Sequence, residues 1–315
     1  MKISSNKTGS RKGFTLIELL VVMGIIALLL AILLPALGKA RATAKRVKDS
    51  TQIQQTHKGF LTLARDFNGV FPTPGLIDRV GNNPGKGAED LLMNDHGKMY
   101  SACIMQHAFD TNVLISPAEV STNVLAYANY NFDAYNVTAA DDLYWDPNFK
   151  SDLGAICNVS YGTLHLAGTR KSKEWKDTYN SRFVVLGNRG VKDGSLTPAD
   201  YNNSKTLQIH GGDKQWEGNV CFNDNHVELA KTFYPQNVAE IDGPLNSGGG
   251  TPPAGTGSNK FLDNIFRNDI GTNGPASRRF SDIFLTIQKA STNPGASGGT
   301  VTMTAFDGGD FASWD

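Results

Sequence analysis

The sequence predicts an α+β protein in which a long N-terminal α-helix, membrane-spanning and then amphipathic, packs on an antiparallel β-sheet with long loops. Three observations predict it. Every residue from Leu19 to Leu34 is apolar apart from the neutral Gly24. A helical-period stripe then continues from Lys39 to about Phe67 with no proline. After Pro72-Thr73-Pro74-Gly75, short β-rich runs alternate with Gly, Asn, Asp and Pro turns.

The first element is a leader, Met1–Gly13, with Lys2, Lys7, Arg11 and Lys12 and no acid. Such a segment stays on the cytoplasmic side. Phe14 to Leu37 follows as an apolar helix of 24 residues, about 36 Å at 1.5 Å per residue and enough to cross a bilayer. A secretory signal has an uncharged core of about 7–15 residues before its cleavage site. Here the core is longer and Glu18 interrupts its start, although Ala40-Arg41-Ala42 loosely imitates such a site. A plain signal anchor fits the length but leaves Glu18 unexplained. A carboxylate in hydrocarbon costs roughly 2.5–3.5 kcal/mol on insertion scales, so it needs a partner.

The run Gly13-Phe14-Thr15-Leu16-Ile17-Glu18 behind a basic leader resembles the N terminus of type IV pilins and type II secretion pseudopilins. The resemblance covers about the first 40 residues, and it adds "pilin-like" to the fold expected. It implies that a prepilin peptidase cuts between Gly13 and Phe14, and that the new amine of Phe14 is methylated. It also implies that Glu18 of one subunit neutralises the terminal amine of its neighbour, which would remove the cost of an unpaired buried charge. The alternatives are pairing with its own amine, one helical turn away, or snorkelling to headgroups. Pro35 lacks an N–H and crowds the carbonyl of Ala31, so it is expected to kink or loosen the helix. It stands at position 22 counted from Phe14, where pilin-like helices commonly carry proline and bend or melt on assembly. It also suits a simple membrane exit.

Next comes an amphipathic stalk, residues 38–67. Its stripe is expected at Leu37, Ala40, Ala44, Val47 and Thr51, drifting to Ile53, Phe60, Leu61 and Ala64. Lys39, Arg41, Lys45, Arg46 and Lys48 form a basic cluster on the side to be translocated, expected as a solvated or headgroup-facing surface. Gly69 and the proline-rich run end the helix.

Residues 68–315 are expected as an extracytoplasmic α+β globular domain. Glu89 to Phe109 is expected to hold a short helix. Strands are expected at Ser160–Leu166, Arg182–Leu186, Thr206–His210, Gly218–Phe222 and His226–Ala230, the last two forming a hairpin through Asn223-Asp224-Asn225. Asn82–Gly87, Asp242–Asn259 and Asn293–Gly299 read as loops. The late stretch from His210 to Val227 resembles a His-x9-Asp-Gly…His-Val motif of planctomycete-type pilin-like proteins. It departs in two ways: thirteen residues separate His210 from Asp224, and Asn225 stands for Gly. Asn tolerates positive φ next best after Gly, so the turn is expected to survive.

Candidate chemistry is sparse. His210, Asp224 and His226 have ligand types suited to a divalent metal or to acid/base work, while an Asp in a turn ordinarily bonds its own backbone. Asp224, with Asp307-Gly308-Gly309-Asp310, offers hard oxygen ligands for calcium, and the pseudopilin resemblance implies a calcium site near the C-terminal end. Otherwise no cofactor is expected. Cys103, Cys157 and Cys221 allow one disulfide and a spare thiol, or three buried thiols. Trp145, Trp175 and Trp216 suit either a glycan-binding surface or a core. No nucleophile elbow, phosphate loop or His-Glu-x-x-His occurs, so no enzyme is expected.

The chain holds 30 basic and 30 acidic residues; without the leader's four basic residues, 26 face 30, a formal charge of −4. Nucleic-acid binding needs a concentrated basic face, so none is expected. The expected function is a subunit of a type II secretion pseudopilus or type IV pilus-like filament. It would be single-pass in the inner membrane, with prepilin peptidase and other pilin subunits as partners. The alternative is a non-assembling, membrane-tethered extracytoplasmic binding protein that uses the same export route; an anchored hydrolase is a third.

Overall fold

Leucine, isoleucine and alanine make the N-terminal stretch a strong helix former, and the structure, a computed structural model, has one 49-residue helix, α1 (Leu16–Ala64), running through Pro35. It describes residues 13–81, 86–138, 141–166, 168–191, 194, 197–211, 215–238, 241–242, 260–266, 285, 287–288 and 312–313. Contacts divide the chain into two units, Met1–Lys45 and Arg46–Asp315.

In the first unit every large apolar side chain from Phe14 to Leu37 is exposed, Leu16 at 81% and Ile32 at 67% among them. A helix apolar on all sides needs lipid or other helices around it, and this is the one described helix long and apolar enough to cross a membrane.

In the second unit the rest of α1 packs with a four-stranded antiparallel sheet. The further helices are α2 (Pro74–Ile77), α3 (His96–Met105), α4 (Gly168–Glu174), α5 (Pro198–Asn203) and α6 (Leu207–His210). The strands are β1 (Asn136–Thr138), β2 (Asp141–Leu143), β3 (Tyr161–Thr163), β4 (Val184–Asn188), β5 (Gly218–Phe222), β6 (Val227–Ala230), β7 (Ile241–Asp242), β8 (Lys260–Phe261), β9 (Ile287–Gln288) and β10 (Ala312–Ser313). The main sheet is a meander, β3-β4-β5-β6, with Tyr161 opposite Asn188, Gly187 opposite Val220 and Cys221 opposite Val227. The α+β class with a long N-terminal helix and an antiparallel sheet is thus the observed one.

The core binds helix to sheet. Phe60 of α1 touches the rings of Phe71, Tyr100, Phe109 and Trp175 at centroid distances of 5.8–6.2 Å. Gly59 lets Phe109 approach: a Cβ there would lie 2.4 Å from its ring. Trp175 donates its indole N–H to Pro72 O (3.1 Å), tying the chain just past α1 back to the core. The helix ends as expected, with Asn68 and Gly69 at φ 53° and 79°.

Two expectations need correcting. Val47 (61% exposed) and Thr51 face outward; the buried stripe is Asp49, Gln52, Ile53, Thr56, His57, Phe60, Leu63 and Ala64. Half of these side chains are polar: partners from outside the helix meet Asp49, Gln52 and His57, and Thr56 donates back to Gln52 O within it. Thr206–His210 is no strand. It closes a helical turn with Leu207, Gln208 and Ile209 N–H groups bonded to the carbonyls three residues back. At Gly211 the carbonyl of Gln215 lies 1.8 Å from where a Cβ would be, so the chain folds back at once and leaves no length for a strand. The expected helix in Glu89–Phe109 is α3, capped by Asp95 accepting from Lys98 N. Of the expected loops, 82–85, 243–259 and 293–299 lie outside the described residues.

Candidate functional site

At the N terminus Thr15 and Glu18 form a reciprocal capping box. The Thr15 hydroxyl oxygen accepts from Glu18 N–H (3.3 Å), while Glu18 Oε2 accepts from Thr15 N–H (2.9 Å) and the Thr15 hydroxyl (2.8 Å). These bonds satisfy donors that a helix start otherwise leaves open. Glu18 Oε1 has no hydrogen-bond partner among the described residues, so half of the carboxylate is available to another group. Gly13 and Phe14 are exposed just ahead of it.

The second constellation was not foreseen. Asp49, wholly buried on α1, collects four donors: Ser116 Oγ, Tyr161 OH (3.1 Å), His210 Nε2 (3.0 Å) and Asn219 Nδ2 (2.8 Å). Burial alone would raise the Asp49 carboxyl, but the hydrogen bonds and charge of His210, with those from Ser116 and Asn219, outweigh it and leave the group below its ordinary value. Arg46, one turn earlier, donates to Glu217 Oε2 (2.8 Å) and His210 O (3.1 Å), and its carbonyl accepts from Asn219 Nδ2 (3.0 Å). Arg46 therefore leaves the solvated basic cluster expected of it.

Two turns further along, His57 Nδ1 meets Asn225 Oδ1 at 3.1 Å, and Gln54 reaches Asn225 O at 3.4 Å. Burial pulls His57 down to about 4 against weaker upward pulls from Asn225 and Asp224, so the ring is neutral. Asn225 has the positive φ expected of it, 68°. Asn223 fastens the same turn on its other side, accepting from Thr178 and Tyr179 N–H and donating to Lys176 O. The β5–β6 turn and α6 thus both lock onto one face of α1. The signal was the spacing of Asp49, Gln52, Thr56 and His57, which trace a helical stripe in polar rather than apolar residues.

The structure does not gather His210, Asp224 and His226 into one cluster. His210 is committed to Asp49, with its side chain 2% exposed. Asp224 and His226 pair with each other at 2.5 Å and are far more open, and His226 stacks on Phe222 at 4.3 Å. Among the described residues no group of three His, Cys, Asp or Glu could hold a metal. Asp307 and Asp310 lie outside the described residues. Cys103, Cys157 and Cys221 are buried free thiols, all raised by burial, Cys157 to about 12. Trp145, Trp175 and Trp216 are at most 4% exposed, which makes them core and not a ligand surface.

Residues 9–34 match the prokaryotic N-terminal methylation motif. The chain thus carries a prepilin-type N terminus, of the kind found on type IV pilins and pseudopilins. Such a motif belongs with a structural subunit rather than an enzyme, and with membrane anchoring through the apolar helix. The match ends ahead of the Asp49 constellation and the late His210–Val227 stretch. No curated protein and no solved structure matches the chain.

Proposed function

We propose that this chain is a subunit of a type II secretion pseudopilus or type IV pilus-like filament, held in the inner membrane before assembly with residues 68–315 outside the cytoplasm. Prepilin peptidase removes residues 1–13, Phe14 becomes the methylated N terminus, and residues 14–37 form the assembly helix, followed by the stalk to residue 67. The observation that carries this is the conjunction of the methylation motif with an apolar helix exposed on every side and a carboxylate at its start. Helices of this kind leave lipid only to bury themselves against like helices. The free oxygen of Glu18 then takes the amine of a neighbour's Phe14, which restricts the register. Loosening at Pro35 accommodates the packing. The late stretch from His210 to Val227 serves to hold sheet to helix, through His210 on Asp49 and Asn225 on His57.

Intact mass of the protein from its host tests the processing: the expected result is loss of 13 residues and gain of one methyl group, and an intact Met1 or a start after Ala42 overturns it. Cysteines placed along Leu19–Leu34 test assembly, since oxidation gives a ladder for a filament. Uniform monomers favour the tethered binding protein instead. The native thiols are buried and do not confuse the pattern.

A further inference from the structure

We propose that a groove at the C-terminal end of α3 is a binding site for a neutral saccharide. The groove encloses about 680 Å³ and is lined by His107, Phe109, Asp110, Asn129, Asn131 and Phe132, among others. Its aromatic wall is unusual in how it is held. His107 occupies the position just past the helix end with φ 55°, a left-handed conformation that glycine adopts freely and histidine does not. Its N–H bonds Ile104 O, and the next amide bonds Cys103 O. The strained placement stacks its ring on Phe132, with centroids 4.9 Å apart and planes 20° from parallel. Tyr130 leans against the same Phe132 at 4.8 Å and is fixed from behind by Ser101. Phe132 nonetheless remains 44% exposed.

The polar rim decides the ligand class. Among the described residues no lysine or arginine lines the groove, so an anion finds no counter-charge there. Asp110 is the single carboxylate among the described lining residues, and its Oδ1 already accepts from the backbone and side-chain nitrogens of Asn112 at 2.8 Å each. That leaves a weak site for a cation. The Asn129 side chain makes no hydrogen bond among the described residues, and Asn131 uses its oxygen to cap Asp133 N–H (3.1 Å), leaving its amide nitrogen for a ligand. A purely apolar ligand would strip water from these groups without replacing it. A sugar ring meets both demands: its C–H face covers an aromatic ring, and its hydroxyls exchange hydrogen bonds with amides and a carboxylate oxygen.

The test uses the full chain in a detergent without a sugar headgroup, titrated by calorimetry and saturation-transfer NMR with neutral oligosaccharides: cello-, malto-, manno- and N-acetylchito-pentaose. At least one is expected to bind with a Kd of about 10 mM or tighter, and Phe132→Ala and Asn129→Ala to weaken it about tenfold each. His107→Gly relieves the backbone strain, so it is expected to fold at least as well while losing affinity. Binding of none of the four, or equal binding by the three variants, overturns the proposal. So does preference for a lysine-rich peptide or for phosphate. Phe132→Ala altering self-association while leaving sugar binding intact assigns the groove to a second copy instead.

Discussion

Replacing Asp49 by alanine removes the acceptor at the centre of the helix–sheet junction. Tyr161 OH keeps Gln52 Oε1 at 3.3 Å, and Asn219 Nδ2 keeps Arg46 O at 3.0 Å. Ser116 Oγ and His210 Nε2 lose the acceptor they bond here, inside a region closed to water. Two stranded donors at about 1–3 kcal/mol each, plus the charge-assisted character of the lost bonds, give a destabilisation of ~3–5 kcal/mol. Asparagine keeps an amide oxygen for Ser116 and Tyr161. Its nitrogen replaces the oxygen that accepts from Asn219 Nδ2 and His210 Nε2, so donor faces donor at Asn219 and Asp49→Asn is expected to cost ~2–3 kcal/mol, still less than alanine. Urea unfolding of the full chain in detergent, followed by emission of the buried Trp175 and Trp216, measures both. His210→Ala added to Asp49→Ala is expected to cost far less than His210→Ala alone, because the two share one interaction. A cost below about 1 kcal/mol for Asp49→Ala, or a larger one for Asn than for Ala, refutes the reasoning.

Acid is expected to unfold the second unit early. Burial holds His57 and His165 down at about 4 and His96 at about 3. The unfolded chain takes up these protons near 6.5 and the folded chain does not, so stability is complete above that pH and falls as pH drops toward 4. The slope approaches ~4 kcal/mol per pH unit for three protons. Against an ordinary stability of about 5–15 kcal/mol, circular dichroism should show an acid transition between about pH 4 and 5.5; a flat signal down to pH 4 rejects it. Gly59→Ala gains about 1 kcal/mol of helix propensity but drives a methyl into Phe109. A net loss of ~1–2 kcal/mol is therefore expected in the same urea assay. Cys103, Cys157 and Cys221 are expected to ignore a thiol reagent at pH 8 in the folded chain and to react fully in urea, counted by absorbance.

The chain's first 40 residues announce themselves because targeting signals are read as linear sequence. The Gly218–Ala230 hairpin was equally legible, since its alternation and its Asn223-Asp224-Asn225 turn are local. The junction was not. Asp49, Gln52 and His57 look like a solvated face until partners from Asn112, Ser116, Tyr161, Asn219 and Asn225 arrive from 60 to 170 positions away. The turn at Thr206–His210 misled for a related reason: Leu207 and Ile209 alternate as in a strand, and only the fold-back at Gly211 selects the helix. His210 was singled out by sequence for metal or acid/base chemistry and instead anchors α6, whereas Asn225 holds the turn expected of it and also anchors the hairpin.

Arg46 and Asp49 stand where the second unit begins along α1. Any tension drawn through the apolar half of that helix therefore arrives first at the bonds to Glu217, His210, Ser116, Tyr161 and Asn219, before it can reach the aromatic packing around Phe60. Because these contacts reach α1 from β3, β5, α6 and two loops, they resist sliding as a group rather than peeling apart singly. The protein thus has a mechanical stop at the entrance to its folded part, built from polar side chains where grease alone would slip.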